Sequence, residues 1–450
     1  MKRFFITAIG LILLNCFSTQ TEISAQASRG KPSATVTINT KYNVPVSIDS
    51  GNRYLWAGFD SWGNLTPSLM TYVGNDGVVS VCSVDDAANT TYIYEYTGDM
   101  RYIKTLQINN EFKKIGSFVK DNKGNYYIFY AEDVQEREFS RENMAVVKYN
   151  SKGKKTGSFR LAAQTSDEKW ARGYSGVKEP FASGSSRMEI SGDWIAVYFA
   201  RKQFAAPDGL NHQASYGFIL DKNKLEKIPN ITMPSAGHSF NQYILPVANG
   251  FIFADHGDYG PRGFYFNRIQ KGQNNSSLQS FSFKQGRVYQ HTFSQLGGLE
   301  KTSKGYIFAG TYERNTSVSN DQHNDSWNLF ILTFNDGLTS ISTPVWITNY
   351  TNKETQNAAN PKIAALGTGR YLLMWECMTP TAYRTTFMRI IDENGKPHSE
   401  ETELPNVRLN RNDVLRYNQA TKNVHWAVNN GSREIIIYSI NPYNPVIASK

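Results

Sequence analysis

The stretch Lys304-Gly305-Tyr306-Ile307-Phe308-Ala309-Gly310-Thr311-Tyr312-Glu313-Arg314 (KGYIFAGTYER) reads as a tight turn feeding a strand of aromatic and branched residues. Glycine supplies the backbone freedom of the turn, and such side chains suit a pleated, buried strand. The phrase returns as SGNRYLWAGFD from Ser50, KGNYYIFYAED from Lys123, SGDWIAVYFAR from Ser191 and NGFIFADHGD from Asn249. It continues as TGRYLLMWECM from Thr368 and, in degenerate form, TKNVHWAVNNG from Thr421. Anchored on Gly51, Gly124, Gly192, Gly250, Gly305, Gly369 and Asn423, the intervals are 73, 68, 58, 55, 64 and 54 residues. A unit of that size cannot bury its own faces and must stack on its neighbours.

The pattern extends to both sides of the anchored strand. A strand precedes the turn (IGSFVKD, SRMEISG, YILPVAN, GLEKTSK, IAALGTG), and a third follows a polar loop (MAVVKYN, YGFILD, FYFNRI, LFILTF, FMRIID). A tight turn then leads to a weaker fourth strand. Four antiparallel strands in each of seven units, with no amphipathic helix pattern, predict an all-β chain. The expected fold is a seven-bladed β-propeller of four-stranded antiparallel blades, one domain over 28–450. The segment ATVTI at 34–38 is placed to close the ring beside the last blade, whose final strands are VHWAV and EIIIYSI. Two packed β-sandwiches are the competing architecture, but they leave the sevenfold phrase unexplained.

Composition agrees. Of 450 residues 13% are aromatic, with 26 Tyr and 25 Phe, and only 19% are charged. That charge content excludes a long helical design rich in Ala, Glu, Lys, Leu and Arg. Residues 1–27 read as an export signal: Lys2 and Arg3, an apolar run Phe4–Leu14, and cleavage after Ala25-Gln26-Ala27. Lipoprotein processing at Cys16 is the alternative. Export to the periplasm, cell surface or medium is therefore expected, with no membrane span in the mature chain. Losing Lys2, Arg3 and Glu22 takes the formal charge from +9 to +8. No Lys/Arg block stands behind that charge, so nucleic acid is not an expected partner, whereas an acidic polymer is compatible. Cys82 and Cys377 lie in strand-like runs and read as separate half-buried thiols. A monomer is expected.

Antiparallel blades place the loops after each second strand and the blade-to-blade connections on one face. Those loops are the long ones: AEDVQEREFSREN, ARKQFAAPDGLNHQ, DHGDYGPRG, TYERNTSVSNDQHNDS and ECMTPTAYR. Long loops on one face of a rigid scaffold mark the candidate site. His212, His238, His256 and His291 all fall there, with Asp255, Asp258, Tyr259, Arg262, Asn241 and Gln242 beside them and Tyr312, Glu313 and Arg314 on the next blade. Each also has a structural reading: a hydrogen-bonded loop histidine, a turn cap, a packed tyrosine, or a surface ion pair.

The residue types suit β-elimination on a uronic-acid polymer. Histidine titrates near neutral pH and serves as base, tyrosine as acid, and arginine offers a planar fork for the carboxylate. His238, His256, Tyr312 and Arg262 are the expected catalytic set. His212, Asn241, Gln242, Tyr259, Arg314 and His291 are the expected substrate-binding set. In its architecture and its His, Tyr and Arg on the central face, the chain resembles the propeller-type ulvan lyases, which are secreted polysaccharide lyases. The resemblance implies an extracellular acidic polysaccharide as substrate and requires no cofactor. A structural Zn or Ca is a further possibility, with His238, His256 and Asp258 as ligands, although no HxH or HExxH spacing supports it. The alternative function is a non-catalytic carbohydrate-binding propeller, stacking sugars on Trp62, Trp170, Tyr174, Trp327 or Tyr383. No phosphate loop, G-x-S-x-G elbow or sialidase Asp box is present. A glycosidase would need two carboxylates, for which Glu132, Glu313 and Glu376 are available.

Overall fold

The structure is a computed structural model describing residues 30–48, 67–164, 176–182, 184–257, 263–272, 277–282, 294–314 and 325–446. Among the described residues the strands form seven antiparallel sheets and there is no helix. The chain is a seven-bladed β-propeller. Its innermost strands are Leu69–Val73, Lys114–Lys120, Ser186–Ser191, Ser239–Val247, Ser294–Lys301, Asn357–Gly367 and Arg416–Asn418, for blades one to seven. Each is followed outward by its blade's second, third and fourth strands in chain order. The exception is the last blade, whose outermost strand is Ala34–Asn39, paired from Ala34↔Ser439 to Asn39↔Glu434 with strand Glu434–Ile440. The ring is closed as the sequence predicts.

The second strand of each blade is buried on both faces, because blades stack face to face, and alternation along it supplies two cores at once. In the fourth blade, Phe251 and Phe253 pack with Trp194 and Tyr198 of the third. Ile252 and Ala254, one residue out of phase, pack with Phe308 and Leu332 of the fifth. All four are essentially unexposed, and each large apolar side chain buried this way contributes roughly 1.5–3 kcal/mol. This double demand explains why the recurring phrase is nearly all apolar.

Outer strands are weaker for identifiable reasons. Pro229 follows the two-residue fourth strand Glu226–Lys227 of blade three. Pro344 precedes Val345–Trp346 in blade five, and Pro405 follows Thr402–Leu404 in blade six. Proline donates no ladder hydrogen bond and confines pairing to its far side.

Six of the seven anchored phrases are second strands. The first is not. The opening hairpin of blade one turns at Gly74–Gly77, where Gly74 N–H donates to Val78 O at 3.0 Å and Gly77 adopts φ 74°. Its second strand is Val79–Asp85. The Gly51 phrase lies outside the described residues, as do the predicted signal and Cys16. Cys82 and Cys377 are both buried and unpaired, on blades one and six. No described helix is long and apolar enough to cross a membrane.

Candidate functional site

The face carrying the long loops is bounded by the starts of the inner strands and the ends of the second strands. At the junction of blades three and four these ends hold a buried polar network. Asp255, on a second strand, accepts from Tyr198 Oη at 2.5 Å and from Ser239 Oγ. Gln242 Nε2 donates to the same Ser239 Oγ, and Ser185 Oγ donates to Gln242 Oε1 at 3.0 Å. Burial raises the Asp255 carboxyl above its ordinary value, opposed by hydrogen bonds from Ser215, Ser239 and Tyr198. Gln242 is fully buried. Asn241 bridges blades, accepting from Ser185 Oγ at 2.9 Å and donating to Leu296 O at 3.3 Å. Asp255, Asn241 and Gln242 are thus satisfied through Ser185, Ser239, Tyr198 and the backbone, which avoids the cost of unpaired buried groups.

His256 sits one residue further along the same strand. Its Nε2 lies 2.9 Å from Ser294 Oγ of blade five, and its ring is 5.0 Å from that of Phe264. It is 1% exposed, and burial pushes its pKa down to about 3. A ring so placed is neutral at working pH and closed to a polymer on the loop face. Tyr312 pairs with Ser294 and Asn328 across the sheet and belongs to the apolar core between blades four and five. Its side chain is 6% exposed. Glu313 is also buried and accepts from the Asp325 amide at 3.4 Å. Two of the four expected catalytic side chains are therefore packed inside the blades.

His238 is placed differently. It enters the inner strand of blade four with a left-handed φ of 49°, is half-buried, and donates its amide to Gln213 O at 2.8 Å. His212 is at the loop surface, with Nε2 2.8 Å from Asp208 Oδ2. Arg314 is exposed, bonded to Asn349 and 5.8 Å from the Trp346 ring. Asp258, Tyr259, Arg262 and His291 lie outside the described residues, as do Trp62, Trp170 and Tyr174. Among the described residues no group of three or more His, Cys, Asp or Glu side chains is arranged to hold a metal.

A second cluster lies over blades six and seven. Arg408 stacks its guanidinium 4.0 Å from the Tyr383 ring centroid and donates Nε to Glu376 Oε1 at 2.8 Å. Glu376 is fully buried and also accepts from the Leu409 amide at 3.0 Å. It is committed to this contact rather than poised as an acid. Arg384 is exposed nearby, donating to Thr355 O at 3.0 Å. Glu132, on blade two, is paired with Arg141 at 2.7 Å.

The segment joining blades six and seven does more than connect them. Asn410 Nδ2 donates to Leu69 O at 3.1 Å and to Ala427 O at 2.9 Å, and Asn360 Nδ2 donates to Leu409 O at 3.1 Å. Asp413 Oδ2 accepts from the Thr71 amide at 2.6 Å, and Arg187 of blade three reaches Asn412 O. Residues 408–413 thus touch blades one, three, six and seven, and cap the axial channel on the loop face.

In sequence, no family model and no curated protein matches the chain. In shape it is similar to a protein of unknown function from Dyadobacter fermentans, at 10% identity and TM-score 0.42, covering 79% of this chain and 99% of that one. It is also similar to an α-L-arabinofuranosidase from Lactobacillus brevis, at 10% identity and TM-score 0.36, over 76% and 95% of the two chains. A Penicillium chrysogenum α-L-arabinanase, solved with arabinobiose, is similar at 8% identity and TM-score 0.39, over 79% and 98%. None of the three bears on the chemistry of this chain.

The residues at the axis carry no functional mark in the sequence. Arg187 and Glu189 in SRMEIS, Glu300 in GLEK, Lys362 in NPKIA and Arg416 all stand on or beside inner strands. Charges at alternate positions of otherwise apolar strands look like an ordinary solvent face. Here that face is the channel wall. The available signal was that these strands are innermost, where no outer solvent face exists.

Proposed function

We propose that the chain recognises an acidic extracellular polysaccharide on its loop face. The observation that carries this reading is the Arg408–Tyr383 stack, 4.0 Å from guanidinium to ring centroid, with the exposed cations Arg384 and Arg314 on the same face. Aromatic faces pack on sugar rings and guanidinium forks match carboxylates and sulfates. The buried positions of His256 and Tyr312 favour binding over the expected elimination machinery. The test is retention of the full chain on immobilised acidic polysaccharides, with neutral polymers as controls. Salt-sensitive retention, lost in an Arg314→Ala, Arg384→Ala double variant, supports the reading. Absence of retention on every acidic polymer tested overturns it.

A second reading, β-elimination, is favoured by one feature. His238 holds a left-handed backbone, and backbone strain of this kind concentrates at functional sites. In this reading His238 is the base. The appearance of the unsaturated-uronate ultraviolet band during incubation, abolished in His238→Ala, supports it. No band with any uronate polymer removes it and leaves binding standing.

A further inference from the structure

Arg187 and Lys362 approach the channel from blades three and six, on opposite sides of the ring. Lys362 is 5% exposed, and burial together with the nearby Arg187 charge pulls its pKa down to about 7. Two cations close together in a buried place normally share a carboxylate. The Asp413 carboxylate acts on both from a distance, but among the described residues neither cation forms a direct ion pair. Lys362 Nζ donates to the main-chain carbonyls of Asp413 at 2.7 Å and Arg411 at 3.4 Å. Arg187 uses Nη1 alone, for the carbonyls of Ser186 at 3.1 Å and Asn412. Its Nε is buried without a hydrogen-bond partner.

The carboxylates of the channel make their direct contacts with other groups. Glu189 takes Arg416 at 2.7 Å, and Asp413 takes the Thr71 amide. Glu300 stands on the inner strand of blade five and is held by the Ala365 amide. On that same strand Gln295 has a buried Nε2 with no partner, while its Oε1 accepts from the Asn360 amide at 2.5 Å. The unsatisfied groups here are therefore donors: an arginine edge and an amide nitrogen, beside a lysine. Unsatisfied donors beside two cations that have no direct ion pair call for an acceptor that carries negative charge.

We propose that the axial channel contains an oxyanion site between Arg187 and Lys362. The Nε–Nη2 edge of Arg187 is the planar fork that matches two oxygens of a carboxylate, sulfate or phosphate. Lys362 supplies a point charge from the opposite wall, and residues 408–413 cap the site on the loop face. The ligand class is a small oxyanion, either a free inorganic ion or the carboxylate of a sugar acid. The inference does not rest on the loop-face reading, which concerns other residues.

The test uses the full mature chain in an oxyanion-free buffer. Sodium sulfate and glucuronate are titrated by calorimetry and thermal unfolding against sodium chloride at matched ionic strength. Saturable binding of sulfate alone identifies an inorganic oxyanion site, and glucuronate that competes with sulfate identifies a sugar-acid site. Either supports the proposal when Arg187→Gln weakens binding by about tenfold or more, the scale of one charge-assisted hydrogen bond. Where Arg187→Gln does not fold, Lys362→Met and Arg187→Lys carry the comparison. Crystals soaked in selenate should show anomalous density against Arg187. Saturable binding by neither probe, or binding unchanged in Lys362→Met, overturns the proposal and leaves the two cations as staples for residues 411–413.

Discussion

Arg416 of the seventh blade donates Nη2 to Glu189 Oε1 of the third blade at 2.7 Å, a bridge across the axial channel between residues 227 positions apart. Arg416 is also tied to Thr71 O through Nε at 3.2 Å. Burial alone would weaken its charge, but the Glu189 and Asp413 carboxylates outweigh burial and raise its pKa. Removing one partner of such a pair strands the other's charge, at a cost of about 3–5 kcal/mol. Arg416→Met should therefore lower the unfolding free energy by that amount in denaturant titrations. The exposed Lys301–Asp336 pair, with side chains 49% and 60% accessible, should contribute less than about 1 kcal/mol. An Arg416→Met variant as stable as Lys301→Met would show that the bridge carries no special weight.

Glu300 and Lys362 give the channel a pH dependence with opposite arms. Burial raises the Glu300 carboxyl from its ordinary 4.5 to about 7. Below pH 4.5 it is protonated in both folded and unfolded chains. As pH rises toward 7 only the unfolded chain ionises, so stability is lost over that window and the loss is complete above it. Lys362, lowered from 10.5 to about 7, imposes its full cost below pH 7 and releases it between 7 and 10.5. Glu300→Gln should match the parent near pH 4 and exceed it above pH 7. The gain has an upper bound of roughly 3.5 kcal/mol, from the rise of 4.5 to about 7 at about 1.4 kcal/mol per pKa unit. Lys362→Met should flatten the alkaline arm. Parallel stability curves for parent and Glu300→Gln from pH 4 to 8 would contradict this.

His256 and His238 separate structure from surface. With its ring buried between Ser294 and Phe264, His256 should show no titration by NMR above about pH 5, given a pKa near 3. His256→Ala opens a cavity and leaves Ser294 short of a partner, a loss of about 2–4 kcal/mol. The fraction that folds should bind acidic polysaccharide as the parent does. His238→Ala should cost less stability than His256→Ala, because its ring is half-buried at the strand entry and not enclosed in the core. A polysaccharide affinity that falls with His256→Ala and not with His238→Ala reverses this assignment.

The repeat was legible because a second strand must be apolar on both faces, and that demand writes one phrase into six blades. Blade one escaped because Val79–Asp85 meets it with Val81, Cys82 and Val84, not with aromatics, so the more aromatic Gly51 phrase stood in its place. The loop face was legible from loop length alone. The roles of His256 and Tyr312 were not, since strand ends look alike whether a side chain points to solvent or into the next blade. That choice depends on blade stacking, which pairs distant segments. The channel charges escaped for the same reason: Arg416 and Glu189 meet only once the ring is closed.

Ring closure is itself testable. Ile435 and Ile437 are fully buried, under the strand Ala34–Asn39 and beside Ile38, Tyr42 and Val44. Beyond the strand, Thr40 N–H donates to Arg433 O at 2.7 Å, Val44 N–H to Ser432 O at 3.1 Å and Ser47 N–H to Asn429 O at 3.0 Å. Cleavage after Ala27 leaves all of this in place. A chain starting at Ser28 should therefore melt like one that keeps the leader. A chain starting at Asp49 loses Ile38, Tyr42 and Val44 from the core, at roughly 2 kcal/mol each, and bares the edge of strand Glu434–Ile440. That sum is a large part of a domain's usual 5–15 kcal/mol, and the bare edge is a template for pairing. The shortened chain should melt lower or aggregate, and a synthetic peptide spanning residues 30–48 should restore the melting temperature in proportion to its concentration. A shortened chain that stays monomeric and melts with the parent would mean that closure contributes nothing.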